Sequence, residues 1–201
     1  MQCSRLTQAD LEHLILGAQI LEADSFGAKV YLLENGNILK LFRRKRFFSS
    51  ALLRPYSRRF IDNAVRLEAF GIPTLHVLAH YRLDEPGKTA VLYRPLPGKT
   101  LRQISQQPGF SWQKTLPEMV SLIRKLHHCG IYFRSLHLGN IVVTPDSHLG
   151  LIDVADMKFL RAPLPERMIK RNVQHFARYL SREQLSEAFP LVELEHALLA
   201  R

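Results

Sequence analysis

Asn140 and Asp153 are the residues of this chain whose types and spacing point most directly to chemistry. Between them the sequence reads as a short β-hairpin: Asn140 to Thr144, the turn Pro145-Asp146-Ser147, then Leu149 to Ile152. The thirteen-residue spacing folds back on itself, so a carboxamide oxygen at the entry and a carboxylate at the exit can face one point. Two hard oxygens suit Mg²⁺, which keeps several waters and takes its remaining ligands from substrate phosphates. One Asn and one Asp are then sufficient. An Asn ahead of a strand is also a common turn residue, so the reading rests on the pair. Asp156, just beyond, reads as a cap or surface residue. His127 and His128 lack metal-ligand spacing on one helical face and read as a helix C-terminus, where His is favourable.

A second signal is electrostatic. Phe42 to Phe60 carries seven basic residues and no acid, and Phe42, Phe47, Phe48, Tyr56 and Phe60 interleave with them. Arg43, Arg44, Lys45 and Arg46 form its densest part. Basic residues with aromatics suit an anionic membrane surface. A solvated loop with its aromatics packed inward is the alternative, and nucleic acid a further one that no accompanying motif favours.

The elements that must position these residues follow from periodicity and turn chemistry. Thr7 can cap a short helix with Leu11, Leu14, Ile15 and Ala18 on one face. Ala28–Leu33 and Ile38–Phe42 read as strands joined by Glu34-Asn35-Gly36-Asn37, because Asn-Gly accepts positive φ cheaply. A helix spans Arg58 to Phe70, and strands follow at about 74–82 and 89–93. Arg94-Pro95-Leu96-Pro97-Gly98-Lys99 is the best hinge. Beyond it come a helix from Ser111 to Gly130, the hairpin, and helices over 166–180 and 182–200. The expected organisation is an N-terminal helix (1–23), a β-rich lobe (24–93), a hinge (94–100) and a helical lobe (101–201). This is a bilobal α+β design, with the crevice between lobes as its natural ligand site.

Composition sets the outer limits. The 201 residues include 28 Lys plus Arg, 18 Asp plus Glu and 9 His, a formal charge of +10 that invites an anionic partner. Apolar residues make up 46%, too many for a disordered chain. Two cysteines, Cys3 and Cys129, form neither a disulfide framework nor a metal pair. No apolar window is long enough to span a membrane, and the first ten residues do not read as a signal peptide.

In this frame the chain resembles the protein-kinase-like superfamily, and within it the small bacterial lipopolysaccharide-core kinases that phosphorylate heptose or Kdo sugars. Their catalytic loop, roughly H-x-D-L-x-x-x-N followed by a hairpin and an Asp, is matched by Phe133-Arg134-Ser135-Leu136-His137-Leu138-Gly139-Asn140 and then Asp153-Val154-Ala155. Tyr93 to Leu101 resembles the family's hinge, and Asn35 to Leu41 its lysine-bearing strand. The resemblance covers about residues 24–180. It implies a bilobal protein-kinase-like fold using ATP and Mg²⁺. Lys40 would pair with nucleotide phosphates, Gly27 and Tyr93 would contact nucleotide, and Asn140 and Asp153 would hold the metal.

The departures are specific. Ser135 stands where the family has its catalytic Asp, and a serine hydroxyl is no base near neutral pH without an activator. Losing a general base costs about 10²- to 10⁴-fold. His137 is the candidate substitute. The turn Asp24-Ser25-Phe26-Gly27 has one glycine, and no Glu sits convincingly opposite Lys40. The resemblance therefore implies an ATP- and Mg²⁺-dependent phosphotransferase of lipopolysaccharide core modification, cytoplasmic or peripheral on the inner membrane, with a phosphorylated glycolipid or anionic surface as partner. The alternative is a pseudokinase that keeps nucleotide affinity without transfer.

Overall fold

A computed structural model describes residues 2–43 and 55–200. The chain divides into two compact units: Met1–Glu68 with Thr74–Leu96, and Ala69–Pro73 with Pro97–Arg201.

The first unit is built on a six-stranded sheet. Its strands are β1 (Cys3–Leu6), β2 (Gln19–Asp24), β3 (Gly27–Leu32), β4 (Ile38–Arg43), β5 (His76–Leu83) and β6 (Lys88–Arg94), in the order β1-β5-β6-β4-β3-β2. β1 runs parallel to β5 and all other pairs are antiparallel. The Asn35-Gly36 turn joins β3 to β4, with Gly36 at φ 78°, as its residue types dictate. Helix α1 (Gln8–Leu14) is too short to persist alone. It is held by a reciprocal cap between Thr7 and Asp10 and by Leu11, which joins Leu33, Leu39, Leu41 and Leu83 in one cluster. Helix α2 (Tyr56–Ala69) buries Phe60, Ile61, Ala64 and Leu67, the apolar stripe its sequence spacing predicts.

Residues 1–23 are thus more than a helix: β1 and β2 flank α1 and form the two edges of the sheet. Neither edge strand carries the alternating apolar pattern of a half-buried strand. β2 is almost wholly exposed, so its sequence lacks the period-2 signal.

The second unit holds β7 (Lys99–Thr100), α3 (Leu101–Ile104), α4 (Trp112–His128), β8 (Ile131–Phe133), β9 (Ile141–Val143), β10 (Leu149–Leu151), a 3₁₀ turn (Val154–Asp156), β11 (Met157–Phe159), α5 (Glu166–Arg182) and α6 (Leu191–Leu199). The last helix begins nine residues later than the spacing predicts, because 183–190 form turns that seat Phe189 against Phe176 and Trp112. β9 and β10 form the expected hairpin, and β7 pairs with β9 on its other side.

Gly98 makes that last pairing possible. It sits at φ +128°, and a Cβ there would lie 2.0 Å from the Val143 carbonyl oxygen. Gly98→Ala is expected to destabilise the protein by about 1–3 kcal/mol through backbone strain. Urea unfolding with an unchanged slope would measure it, and a wild-type midpoint would contradict it.

Candidate active site

In the second unit, β8 leads into the loop 134–140 and the β9–β10 hairpin leads out to Asp153. The loop is fixed by its own polar groups. The Asn140 N–H donates to the His137 carbonyl (2.9 Å). The Asn140 Nδ2 donates to the Ser135 carbonyl (2.9 Å) and to His137 Nε2 (3.2 Å). The Asn140 carbonyl accepts from the Ile152 N–H (3.0 Å), which ties the hairpin entry to the residue before Asp153. Asn140 and Asp153 are therefore brought to one end of the hairpin. With its Nδ2 committed to the loop, Asn140 has its amide oxygen as the remaining ligating atom.

Asp153 adopts φ 52°, ψ 48°, one of three non-glycine residues with positive φ among the described residues. Asp tolerates this left-handed region better than most residues. The geometry is imposed from both sides. The Leu151 N–H donates to Pro73 (2.8 Å) and Ile152 to Asn140, while the 3₁₀ turn starts immediately after. Strained backbone held by its surroundings is characteristic of functional positions. The donor set, one amide oxygen and one carboxylate, fits Mg²⁺ completed by phosphate and water. Among the described residues no group of three or more His, Cys, Asp or Glu side chains could hold a metal by itself.

Ser135 does not stand alone. Its Oγ–H donates to Asp156 Oδ2 at 2.6 Å, and Arg134 Nε contacts the same oxygen at 3.3 Å. Asp156 Oδ1 is buried with no hydrogen-bond partner. Asp156 is therefore not the cap or surface residue its position suggests in sequence. It supplies a carboxylate beside Ser135. The cause is register: β11 pairs with β8 so that Met157 faces Phe133, which sets the residues before Met157 beside those after Phe133.

His137 is less available than its sequence position implies. Its ring stacks on Tyr179 (4.4 Å, 8°), and its Nε2 lone pair is taken by Asn140. Burial, reinforced by Arg182, pushes its pKa down. It braces the loop through the Asn140 bond and the Tyr179 stack. His127 stands in the last turn of α4, the helix C-terminus its sequence position predicts. It is buried and bonded to Asn172 Oδ1 at 3.1 Å.

In the first unit, Lys40 lies on central strand β4 between Val30 and Val91. It is only 9% exposed, with its ammonium 5.5 Å from the Phe60 ring centre and 5.8 Å from that of Phe42. Cation–π attraction offsets part of the cost of burying the charge. Gly27 closes the β2–β3 turn at φ +99°. Asp24 Oδ1 braces this turn, accepting from the Phe26 N–H and from Arg43 Nη1, each at 2.9 Å. Tyr93, near the end of β6, is buried with its ring 5.4 Å from that of Phe60.

Arg43 corrects one expectation. Rather than facing outward for an anionic surface, its side chain turns back to Asp24 and to the Ala28 carbonyl (3.0 Å) and is only 16% exposed. Phe42 also packs inward, against Phe60 (5.5 Å). Arg44, Lys45 and Arg46 lie outside the described residues. Among the described residues no helix is long and apolar enough to cross a membrane.

Residues 22–189 match a family model described as the lipopolysaccharide kinase (Kdo/WaaP) family. Among solved structures, a 2.2 Å crystal structure of WbdD superposes with a TM-score of 0.51 at 16% identity, over 84% of this chain and 42% of that one. A structure described as the bifunctional kinase-methyltransferase WbdD gives 0.51 at 16% identity, over 84% and 41%. Monomeric WbdD gives 0.52 at 15% identity, over 86% and 44%. The chain spans less than half the length of these structures, and the likeness shows a kinase-like fold. No curated protein sequence matches significantly.

Proposed function

The chain belongs to the lipopolysaccharide kinase (Kdo/WaaP) family, and from that premise we propose that it transfers the γ-phosphoryl group of ATP, with Mg²⁺, to a hydroxyl of a lipopolysaccharide-core sugar. The observation that carries this reading is the Asn140–Asp153 frame. Asn140 and Asp153 stand at the entry and exit of a hairpin whose two ends are tied by the Ile152 N–H to the Asn140 carbonyl, which supports a shared role for the amide oxygen and the carboxylate. When bound there, Mg²⁺ would neutralise phosphate charge. Lys40 is assigned to the nucleotide phosphates, with Gly27 and Tyr93 as nucleotide contacts.

The missing Asp at position 135 is answered by a two-residue relay. The acceptor hydroxyl donates its hydrogen bond to Ser135 Oγ. As that oxygen bonds to the γ-phosphorus, its proton passes to Ser135 and the serine's own proton passes to Asp156 Oδ2. The bond from the γ-phosphorus to the bridging oxygen breaks, and ADP leaves with that electron pair. Positioning and electrostatics carry most of the rate in such transfers, so a relayed base is compatible with catalysis. ATP and a lipid-linked acceptor meet at the cytoplasmic face of the inner membrane, where we place the reaction. A second reading, nucleotide binding without transfer, draws on Ser135 and the one-glycine turn at 24–27.

Two measurements decide. Single-turnover transfer from γ-labelled ATP to purified core glycolipid should be seen with wild type and lost in Asp153→Ala. Mg²⁺-ATP should raise the melting temperature, by mass action worth about 2.7 kcal/mol at a hundredfold excess over Kd, and Asp153→Ala should remove the Mg²⁺-dependent part. A thermal shift without transfer on any core acceptor selects the second reading. Neither shift nor transfer rejects both.

A further inference from the structure

Beside the catalytic loop, within the second unit, lies a cavity of about 500 Å³ lined by Arg134, Ser135, His137, His175, Arg178 and Arg182 among others. Its charge is one-sided. Among the described residues no carboxylate lines it. Of the acids whose charge reaches His137, Asp153 lies at the hairpin exit, Asp156 is engaged with Ser135 and Arg134, and Glu183 with Arg102 (3.1 Å) and Arg182 (3.2 Å).

The arrangement is built by helix α5. His175, Arg178 and Arg182 recur at spacings of three and four, which places them on one stripe. The helix buries its neighbouring face through Val173, Phe176, Tyr179 and Leu180. Arg178 donates from Nε to the Gln174 carbonyl (3.2 Å), and Arg182, paired through Nε with Glu183, lies 5.7 Å from the Tyr179 ring centre. Two ring nitrogens in the lining, His175 Nε2 and His137 Nδ1, are buried with no hydrogen-bond partner. Unsatisfied buried polar atoms in a cavity are what a bound polar group would satisfy. The pKa of His175 is pushed down by burial first and then by Arg178, Arg171 and Arg134, so the arginine field reaches the cavity wall.

We infer that this cavity is the acceptor subsite and that it binds an oxyanion, phosphate or carboxylate, which the acceptor sugar carries near the hydroxyl to be phosphorylated. The inference rests on the phosphotransfer reading above and deepens it. Guanidinium groups present paired donors that match either anion. Ser135 belongs to the same lining, so an anion on Arg178 and Arg182 holds the sugar with a hydroxyl toward Ser135. The acceptor must then be charged before it arrives, so an earlier reaction installs its first phosphate or carboxylate.

The test measures binding without nucleotide or metal, so it does not depend on transfer. Calorimetric titrations would use inorganic phosphate, a hexose 6-phosphate, a hexuronate and the uncharged hexose, with wild type and with Arg178→Gln/Arg182→Gln. Both arginines are exposed, and circular dichroism of the variant checks its fold. The charged sugars should bind more tightly than the neutral one. The double variant should weaken them by about tenfold for each lost charge-assisted contact. A preference between the two charged sugars identifies the group. Equal binding of charged and neutral sugars, or an unchanged double variant, overturns the subsite even if transfer is observed. Arginine-dependent anion binding in a protein that transfers no phosphate would keep the subsite and reject the transferase.

Discussion

Asp156→Asn should lower the rate of phosphoryl transfer by about 10²- to 10⁴-fold, the usual worth of a general base, with little change in nucleotide affinity. The carboxylate acts through the Ser135 hydroxyl, 2.6 Å away, so Ser135→Ala should fall in the same range. The two losses should not add, since each breaks the same relay. A structural role would predict lower stability instead, so melting temperatures of both variants provide the first control. The sharper control is rescue. Ser135→Asp in the Asp156→Asn background puts a carboxylate directly where the acceptor hydroxyl donates, and should recover much of the rate. In the wild-type background the same change would crowd two carboxylates together, which disfavours having both ionised, and should help less. Full activity in Asp156→Asn would remove the relay, and His137 would be tested next. Its Nε2 would first have to release Asn140.

Asn172→Leu should be the most destabilising of the substitutions considered, at about 1.5–4.5 kcal/mol. Asn172 is 2% exposed. It accepts from His127 Nε2 (3.1 Å) and donates through Nδ2 to the Phe133 carbonyl (2.8 Å). Leucine fills a similar volume but leaves the buried His127 Nε2 unsatisfied, at about 1–3 kcal/mol, and removes one of the two hydrogen bonds to the Phe133 carbonyl, which keeps the Leu136 N–H (3.2 Å), at about 0.5–1.5 kcal/mol. Phe133 ends β8 and opens the catalytic loop, so the loss should also loosen Ser135. Acid should widen the difference. Burial holds the His127 pKa below its ordinary 6.5, while the Asn172 bond draws it partly back. A histidine with a depressed pKa contributes stability that is present above pH 6.5 and is lost as pH falls below that value, because the unfolded state takes the proton first. Removing Asn172 depresses the folded pKa further and extends the loss. The pKa values of His80, His137 and His175 are also depressed, by burial first, so wild type itself should weaken between about pH 7 and 5. Urea midpoints at pH 7.5 and 5.5 measure both effects. A midpoint independent of pH in either protein contradicts the argument.

The sequence by itself determined whatever depends on short-range chemistry. Asn35-Gly36 makes a hairpin because those two residues accept positive φ. Helices α2, α4 and α5 are legible because a buried stripe repeats every three or four residues. Asn140 and Asp153 were readable as a pair because a tight hairpin lies between them, and the lengths of its arms decide where its ends meet. The tertiary structure decided what depends on long-range register and burial. Edge strands β1 and β2 carry little apolar alternation, so only pairing identifies them. Arg43 belongs to a basic run in sequence, yet Asp24, nineteen residues away, turns it inward. His127 and Asn172 are 45 residues apart and meet only because helices α4 and α5 pack around β8. Asp156 is the clearest case. Nothing local distinguishes it from a cap, since its partner Ser135 lies 21 residues away. The two are joined by the three-residue strands β8 and β11, too short to leave a periodic signal, and only their antiparallel register, Met157 against Phe133, sets the carboxylate beside the hydroxyl.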